Sequence, residues 1–321
     1  LNYIGSKYKL LPFIDNTINK YIKDYNVFCD LFAGTNVVGR FFKSKNKIVI
    51  ANDLEYYSYV LGKNYIELNK YPNNYKETIE KLNNLELLNG FIFENYSENG
   101  SGNRLYYSEY NGKKIDAIRT YIENYKHTND YYFYLTALLE ASDKIANVAS
   151  VYGAYLKKIK KSAQNNLILE SPLMIDFDGC KMYNEDAVSL IKKISGDVLY
   201  LDPPYNSRQY GANYHLLNTI AEYNNFKPQG KTGLRNYIRS NFCTPKYASS
   251  SLEEIIKNAN FSYIFLSYNN EGLISMDVIK DIFEKYGKYY VEKKEHRRFK
   301  ADNNRNYVAN KTYEYIHVLE K

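Results

Sequence analysis

An α/β fold, with a parallel sheet and an inserted, mainly helical lobe, is predicted by three features of the amino-acid sequence. Short apolar runs of strand character alternate with helix-spaced segments at the start of the chain. The same strand character returns later, in "GDVLYLDPPY" and "FSYIFLSYNN". Between them, from about residue 72 to 175, helical spacing persists and strand alternation is missing. Strands separated by helices pair in parallel, because each connection must cross back over a face of the sheet.

The elements follow in order. "KYKLLPFIDNTINKYI" carries apolar residues at helical intervals and predicts a first helix. "YNVFCDLFAG" is a short strand closed by a glycine turn, "NVVGRFFKSK" a helix, "KIVIAND" a second strand and "EYYSYVLGKNYIELN" another helix. In the middle section "NNYKETIEKLNNLELLNG" reads as a polar helix. "NYSENGSGNRLYYSEYNGKK", rich in Gly, Asn and Ser, reads as loop. "DYYFYLTALLEASDKIANVASVYGAYLKKIKK" predicts one long helix, broken at Gly153, with lysines at its end. "NNFKPQGKTGLRNYIRSNFCTPKY" is basic and irregular, and "KYYVEKKEHRRF" and "KTYEYIHVLEK" are two strands joined by a polar loop.

Composition narrows the class. A chain of 321 residues can form one large domain or two unequal ones. No apolar run approaches the roughly 18 residues of a membrane span, and the start has no signal-peptide pattern, so a cytoplasmic protein is expected. The net charge of +7 suits a polyanionic partner without requiring one. The 37 tyrosines imply no function by themselves. Cys29, Cys180 and Cys243 are far apart and the four histidines are ungrouped, so no metal site is expected.

Two motifs carry chemistry. In "DLFAGTNVVG" a strand ends at Gly34, where no Cβ obstructs a ligand approaching the backbone. Asp53, in "NDLE", follows at about the 20-residue distance at which a carboxylate meets ribose hydroxyls. A nucleoside-bearing cofactor lying across the strand ends would use both. The G-x-G-x-x-G pattern is missing, which favours a cofactor without pyrophosphate; a plain turn with a capping acid is the alternative. In "DPPY" the prolines fix φ and donate no N–H, so their carbonyls can face outward as acceptors. Asp202 adds a charged acceptor, and two adjacent acceptors match the two hydrogens of an amino group. Tyr205 offers a face for stacking a planar ring. The alternative is a simple diproline turn.

These residues resemble the amino-directed DNA methyltransferases that use S-adenosylmethionine, and in particular the Dam-like, D12 class of adenine-N6 enzymes from restriction–modification systems. "NYIGSKYKL" resembles the amino-terminal cofactor motif of that class, "DLFAGTNVVG" its glycine motif, and "NDLE" its ribose motif. "NEDAVSLI" resembles the segment contacting the cofactor adenine, "DPPY" the catalytic motif, and "FLSYNNEG" a support of the target pocket. "ASDKIANVASVYGAYLKK" and "RSNFCTPKYASS" resemble recognition segments of FokI-like methylases. One departure is Asn36, where the class often has a second glycine; asparagine tolerates left-handed backbone angles better than most residues.

The resemblance implies a Rossmann-like methyltransferase sheet, with residues 1–74 and 176–321 as the catalytic domain and 75–175 as the DNA target-recognition lobe. It implies S-adenosylmethionine contacts at Tyr3, Lys7, Asp30, Phe32, Gly34, Asp53, Asp186 and Asp202, and catalytic roles for Asp202, Pro203, Pro204 and Tyr205. The chemistry expected is direct methyl transfer to N6 of an adenine flipped out of duplex DNA. DNA-binding positions are expected at Lys157, Lys158, Arg208, Arg239, Arg297 and Arg298, although any basic cluster can equally be a solvated face. Carbon-5 cytosine chemistry fits poorly, because no cysteine follows a proline. N4-cytosine or RNA methylation and a silent DNA-binding subunit are the rival readings. A monomer and a cognate restriction endonuclease acting on the same site complete the expectation.

Overall fold

The structure is a computed structural model that describes residues 7–297 and 311–321. The chain runs through α1 (Leu11–Tyr21), β1 (Val27–Asp30), α2 (Val37–Ser44), β2 (Ile48–Asn52), α3 (Tyr56–Gly62), α4 (Tyr75–Asn83), α5 (Phe91–Tyr96), α6 (Glu109–Ile122) and α7 (Asp130–Lys144). It continues through β3 (Lys181–Tyr183), α8 (Ala187–Leu190), β4 (Ser195–Leu201), α9 (Tyr210–Asn213), α10 (His215–Glu222), α11 (Pro245–Asn258), β5 (Asn260–Asn269), α12 (Met276–Glu284), β6 (Lys288–Arg297) and β7 (Lys311–Glu320).

Among the described residues seven strands join one sheet in the order β3-β2-β1-β4-β5-β7-β6. The first five pair in parallel, and β7 runs antiparallel to both of its neighbours. The central strands read as near-continuous apolar runs because both faces of a parallel sheet are covered. On one face Phe28 stacks on Phe42 of α2, with ring centroids 3.9 Å apart. On the other, Cys29, Leu199, Ile264 and Leu266 pack with Leu190 of α8, Leu252 and Ile255 of α11, and Ile279 and Phe283 of α12.

The chain forms two compact units. Of the described residues, the sheet unit comprises 7–54, 179–209, 239–297 and 311–321; the helical unit comprises 55–178 and 210–238. The helical unit is thus wider than the lobe drawn from sequence at 75–175. Tyr57 and Leu61 of α3 and Leu217 and Ile220 of α10 share its core with Ile92, Ile118, Phe133 and Leu138. Tyrosine supplies much of that core, and two of its hydroxyls bond locally: Tyr106 donates to the Tyr152 carbonyl at 2.7 Å and Tyr152 to Asp143 at 2.8 Å.

The expected long helix ends at Lys144, well before Gly153. Asn147 is the reason. Its side-chain amide donates to the carbonyls of Leu105 and Leu156, and its Oδ1 accepts from Lys160 N–H, so local side-chain bonds replace the helical ladder. Lys157 and Lys158 therefore stand exposed on an irregular segment, and Lys160 donates to the Val148 carbonyl at 2.7 Å. The stretch expected as loop takes in the end of α5 and the start of α6. Its "NG" pair looks like a turn but serves close packing. A Cβ on Gly112 would sit 1.9 Å from Ser97 Oγ, and Asn111 binds the Ala163 and Asn165 carbonyls and Leu167 N–H.

Candidate active site at the carboxyl end of the sheet

The strand order reverses between β1 and β4, with β2 and β3 to one side and β5 to the other. In such a sheet the connections diverge there, which leaves a crevice beyond the carboxyl ends of the strands. Asp30 is the last residue of β1, Asp53 follows β2, and Asp202 follows β4.

Asp30 is only 1% exposed, and its Oδ2 accepts the Gly39 N–H of α2 at 3.2 Å. Burial, then the Asp202 and Asp53 charges, push its pKa up to about 8 against the opposing Gly39 hydrogen bond. Beyond it the chain turns sharply. Gly34 has φ 52° and donates its N–H to Asp53 Oδ2 at 2.7 Å. Asn36 adopts the left-handed region at φ 61°, and its carbonyl accepts Arg40 N–H at 2.9 Å as α2 begins, so the turn survives without a second glycine. Phe32 meets Phe242 edge-on, with ring centroids 5.1 Å apart.

Asn52 fastens this corner. Its amide donates to the Leu31 carbonyl at 3.2 Å and the Glu185 carbonyl at 3.1 Å, and its Oδ1 accepts Glu185 N–H at 3.0 Å. One buried amide thereby ties the ends of β1 and β2 to the loop after β3. Asp186 is exposed and caps α8, accepting Ser189 N–H at 3.0 Å and the Ser189 hydroxyl at 3.2 Å.

The Asp202 side chain is 21% exposed, so its carboxylate is not turned into the core. Lys7 Nζ lies 3.2 Å from Asp202 Oδ1 and 3.9 Å from Glu314 Oε1 of β7. Burial would lower the Lys7 pKa, but the Asp202 and Glu314 carboxylates outweigh it and the net shift is upward. Burial pushes the Asp202 pKa up to about 6; Lys7 opposes the rise and Glu314 adds to it. Pro203 is buried and Pro204 partly so. Tyr205 is half-buried against the sheet core, and its carbonyl accepts Leu273 N–H at 2.9 Å.

The described site residues expected for cofactor and catalysis therefore lie in one unit, around one strand-end corner. Tyr3 and Arg298 lie outside the described residues, and Arg297 closes β6 opposite Lys311. Arg208 and Arg239, both exposed, are drawn together because Gln209 Oε1 accepts Ser240 N–H at 2.8 Å and Cys243 Sγ donates to the Arg208 carbonyl at 3.4 Å. Sequence reasoning missed Asn52 and Glu314. Asn52 was legible only as the residue before Asp53, and Glu314 gave no local signal because Lys7 meets it through the fold.

The raised Asp30 pKa has a consequence for stability. The folded chain holds a proton up to about pH 8 that an unfolded aspartate releases near pH 4. Stability is therefore lost as pH rises through that window. Asp30→Asn keeps an acceptor for Gly39 N–H and removes the charge. It is expected to raise the melting temperature of the ligand-free protein at pH 8.5 by several degrees, and by much less at pH 5, as followed by calorimetry.

A family model described as D12 class N6 adenine-specific DNA methyltransferase matches residues 3–296 of the chain. The chain is 53% identical over its whole length to the Type II methyltransferase M.NlaIII of Neisseria lactamica, 99% of which it covers. It is 38% identical to the Type II methyltransferase M.CviAII of Paramecium bursaria Chlorella virus 1, with 98% of this chain and 97% of that one aligned. It is also 38% identical to the Type II methyltransferase M.FokI of Planomicrobium okeanokoites, aligning along its full length with 53% of that larger protein.

Proposed function

The chain belongs to the D12 class of N6 adenine-specific DNA methyltransferases, and from that premise we propose that the corner around Asp30, Asp53 and Asp202 binds S-adenosylmethionine and presents a flipped adenine to it. The observation that carries this reading is the convergence of Asp30 and Asp202, two desolvated carboxylates of which the second helps to raise the pKa of the first, at the reversal of the strand order. Such a corner favours a cationic ligand, and S-adenosylmethionine carries both an ammonium and a sulfonium. When bound, it supplies a methyl group activated for attack by a nitrogen lone pair.

The protein's residues then do the following. Gly34 keeps the turn open, and Asp53 stands where ribose hydroxyls would reach it. Asp186, as an exposed acid after β3, would meet the adenine of the cofactor. Tyr205 stacks on the flipped target base. Asp202 Oδ2 and the Pro203 carbonyl accept the two amino hydrogens and turn the nitrogen lone pair toward the methyl group. Lys7 holds Asp202 Oδ1 and keeps the carboxylate ionised at neutral pH. With a pKa of about 6, Asp202 is a better acceptor for the departing proton than an ordinary aspartate.

Duplex DNA is the proposed substrate, with the exposed Lys157, Lys158, Arg208 and Arg239, together with Arg297 and Arg298, as proposed phosphate contacts and the helical unit as the recognition lobe. We place the enzyme as a cytoplasmic monomer beside a restriction endonuclease of the same specificity; among the described residues no helix is long and apolar enough to cross a membrane. The family match leaves the N4-cytosine, RNA and silent-subunit readings unfavoured. Incubating the protein with labelled S-adenosylmethionine and plasmid DNA tests the function: label must enter DNA as N6-methyladenine within one short sequence. Label in cytosine, in RNA only, or nowhere would overturn it.

A further inference from the structure

The segment after α7 closes into a loop over residues 147–160, wholly within the helical unit. Asn147, fully buried, ties the loop ends together. Its carbonyl accepts Leu156 N–H at 3.0 Å, its Oδ1 accepts Lys160 N–H at 2.9 Å, and its Nδ2 donates to the Leu156 carbonyl at 3.0 Å. Tyr152, also fully buried, pins the middle. Its N–H donates to the Asn213 carbonyl at 2.8 Å and its hydroxyl to Asp143 at 2.8 Å. Its carbonyl accepts the Tyr106 hydroxyl at 2.7 Å and His215 Nε2 at 3.1 Å. The loop is thus held in shape from the inside.

Its outer side presents Gly153, Ala154, Lys157 and Lys158, all exposed. The fold does not require a glycine at 153. Its φ is not positive, and a Cβ there would meet nothing nearer than Val151 Cγ2 at 4.0 Å. Gly90, Gly100 and Gly112 of the same unit differ, since a Cβ on any of them would lie within 2.6 Å of a neighbouring atom. The exposed surface of Gly153 is main chain throughout, and neither its N–H nor that of Ala154 has a hydrogen-bond partner among the described residues. Two main-chain donors therefore stand at the surface a few residues before two exposed ammonium groups. Lys144 and Lys160 are otherwise engaged, with Glu170 and the Val148 carbonyl, each at 2.7 Å. Exposed main-chain donors beside cations, at a point cleared of side chain, suit an anion that must approach the backbone closely.

We propose that this loop is a preformed clamp for the phosphate backbone of duplex DNA, in which the Gly153 and Ala154 N–H groups bind phosphate oxygens between the Lys157 and Lys158 charges, with Asn147 as the positioning residue. The proposal rests on the methyltransferase reading for its choice of duplex DNA, and adds main-chain donors and a loop anchor to the two lysines. Contacts to phosphate carry no base information, so the clamp fixes where the duplex lies rather than which sequence is chosen. Because buried side chains already hold the loop, little ordering is needed when DNA arrives.

The test measures binding of the full chain to a duplex containing its methylation site and to an unrelated duplex, over a series of salt concentrations, with kcat taken at saturating DNA. Gly153→Ala and Gly153→Val add bulk where the fold has room for it. They are expected to weaken both duplexes, by roughly 3-fold and 30-fold, with kcat, melting temperature and salt dependence unchanged. Replacing Lys157 and Lys158 together by alanine should reduce the slope of log Kd against log salt by about 1.8. Asn147→Ala frees the loop ends and should weaken both duplexes roughly tenfold at unchanged kcat. Wild-type affinity in Gly153→Val would overturn the proposal even if Asn147→Ala fails to fold. So would a loss confined to the duplex with the methylation site, which marks base readout. A wild-type protein that shows these binding effects yet methylates no DNA would leave the clamp standing and sink the methyltransferase reading.

Discussion

Asp202→Ala is expected to reduce kcat for adenine methylation by at least about 1,000-fold while leaving DNA binding within a few-fold of wild type. The carboxylate has two tasks in the proposed chemistry, aligning the amino group and accepting its proton. Losing an alignment of this kind and a general base together typically costs that much. The substitution relieves one charge that raises the Asp30 pKa but leaves the nearly buried Lys7 with Glu314 alone, so a moderate drop in melting temperature is expected, and thermal denaturation measures it. Asp202→Asn separates the tasks, because the amide oxygen still accepts a hydrogen bond but no longer takes a proton at neutral pH. Wild-type turnover in Asp202→Ala, measured in single-turnover assays, would remove Asp202 from the mechanism.

Lys7→Ala should produce the second large effect, and its signature lies in the pH profile. Lys7 is nearly buried and touches Asp202 at 3.2 Å and Glu314 at 3.9 Å. Without it, two carboxylates face each other and the ammonium charge that opposes the rise of the Asp202 pKa is gone. The acid limb of kcat, set near pH 6 in the wild type, should move to higher pH, and kcat at pH 7 should fall by at least about tenfold. Breaking a buried pair costs about 3–5 kcal/mol, and the partial exposure of Asp202 places the loss at the lower end, so a drop in melting temperature is also expected. Lys7→Arg should restore most of the stability and the position of the acid limb. An acid limb unmoved in Lys7→Ala would show that the lysine does not tune Asp202.

Much of this site was legible in the chain. "DLFAGTNVVG", "NDLE" and "DPPY" each join a strand to its turn, so local pattern placed Asp30, Gly34, Asp53 and Asp202 at strand ends, and the parallel sheet brought them together. Lys7 was legible only through family resemblance, since nothing in its surroundings marks it as the partner of residues far along the chain. Glu314 was invisible for the same reason. In the helical unit the signals misled for a physical cause: Asn111, Gly112 and Asn147 have turn chemistry but use it for close packing and side-chain anchoring between segments. The three-residue β3 is too short to show alternation. The contributions of 55–74 and 210–238 to the helical core were hidden because α3 and α10 look like ordinary crossover helices until their partners are known.

The position of β7 bears on how the protein is made. Of the described strands this one comes last in the chain, yet it lies inside the sheet between β5 and β6 and carries Glu314 to Lys7. A ribosome that has passed β6 has therefore produced a chain whose sheet still has a gap and whose lysine lacks one carboxylate. The nascent polypeptide should remain inert toward chromosomal adenines until synthesis passes Glu320, and a stop codon inside β7 should yield a protease-sensitive product without modification activity.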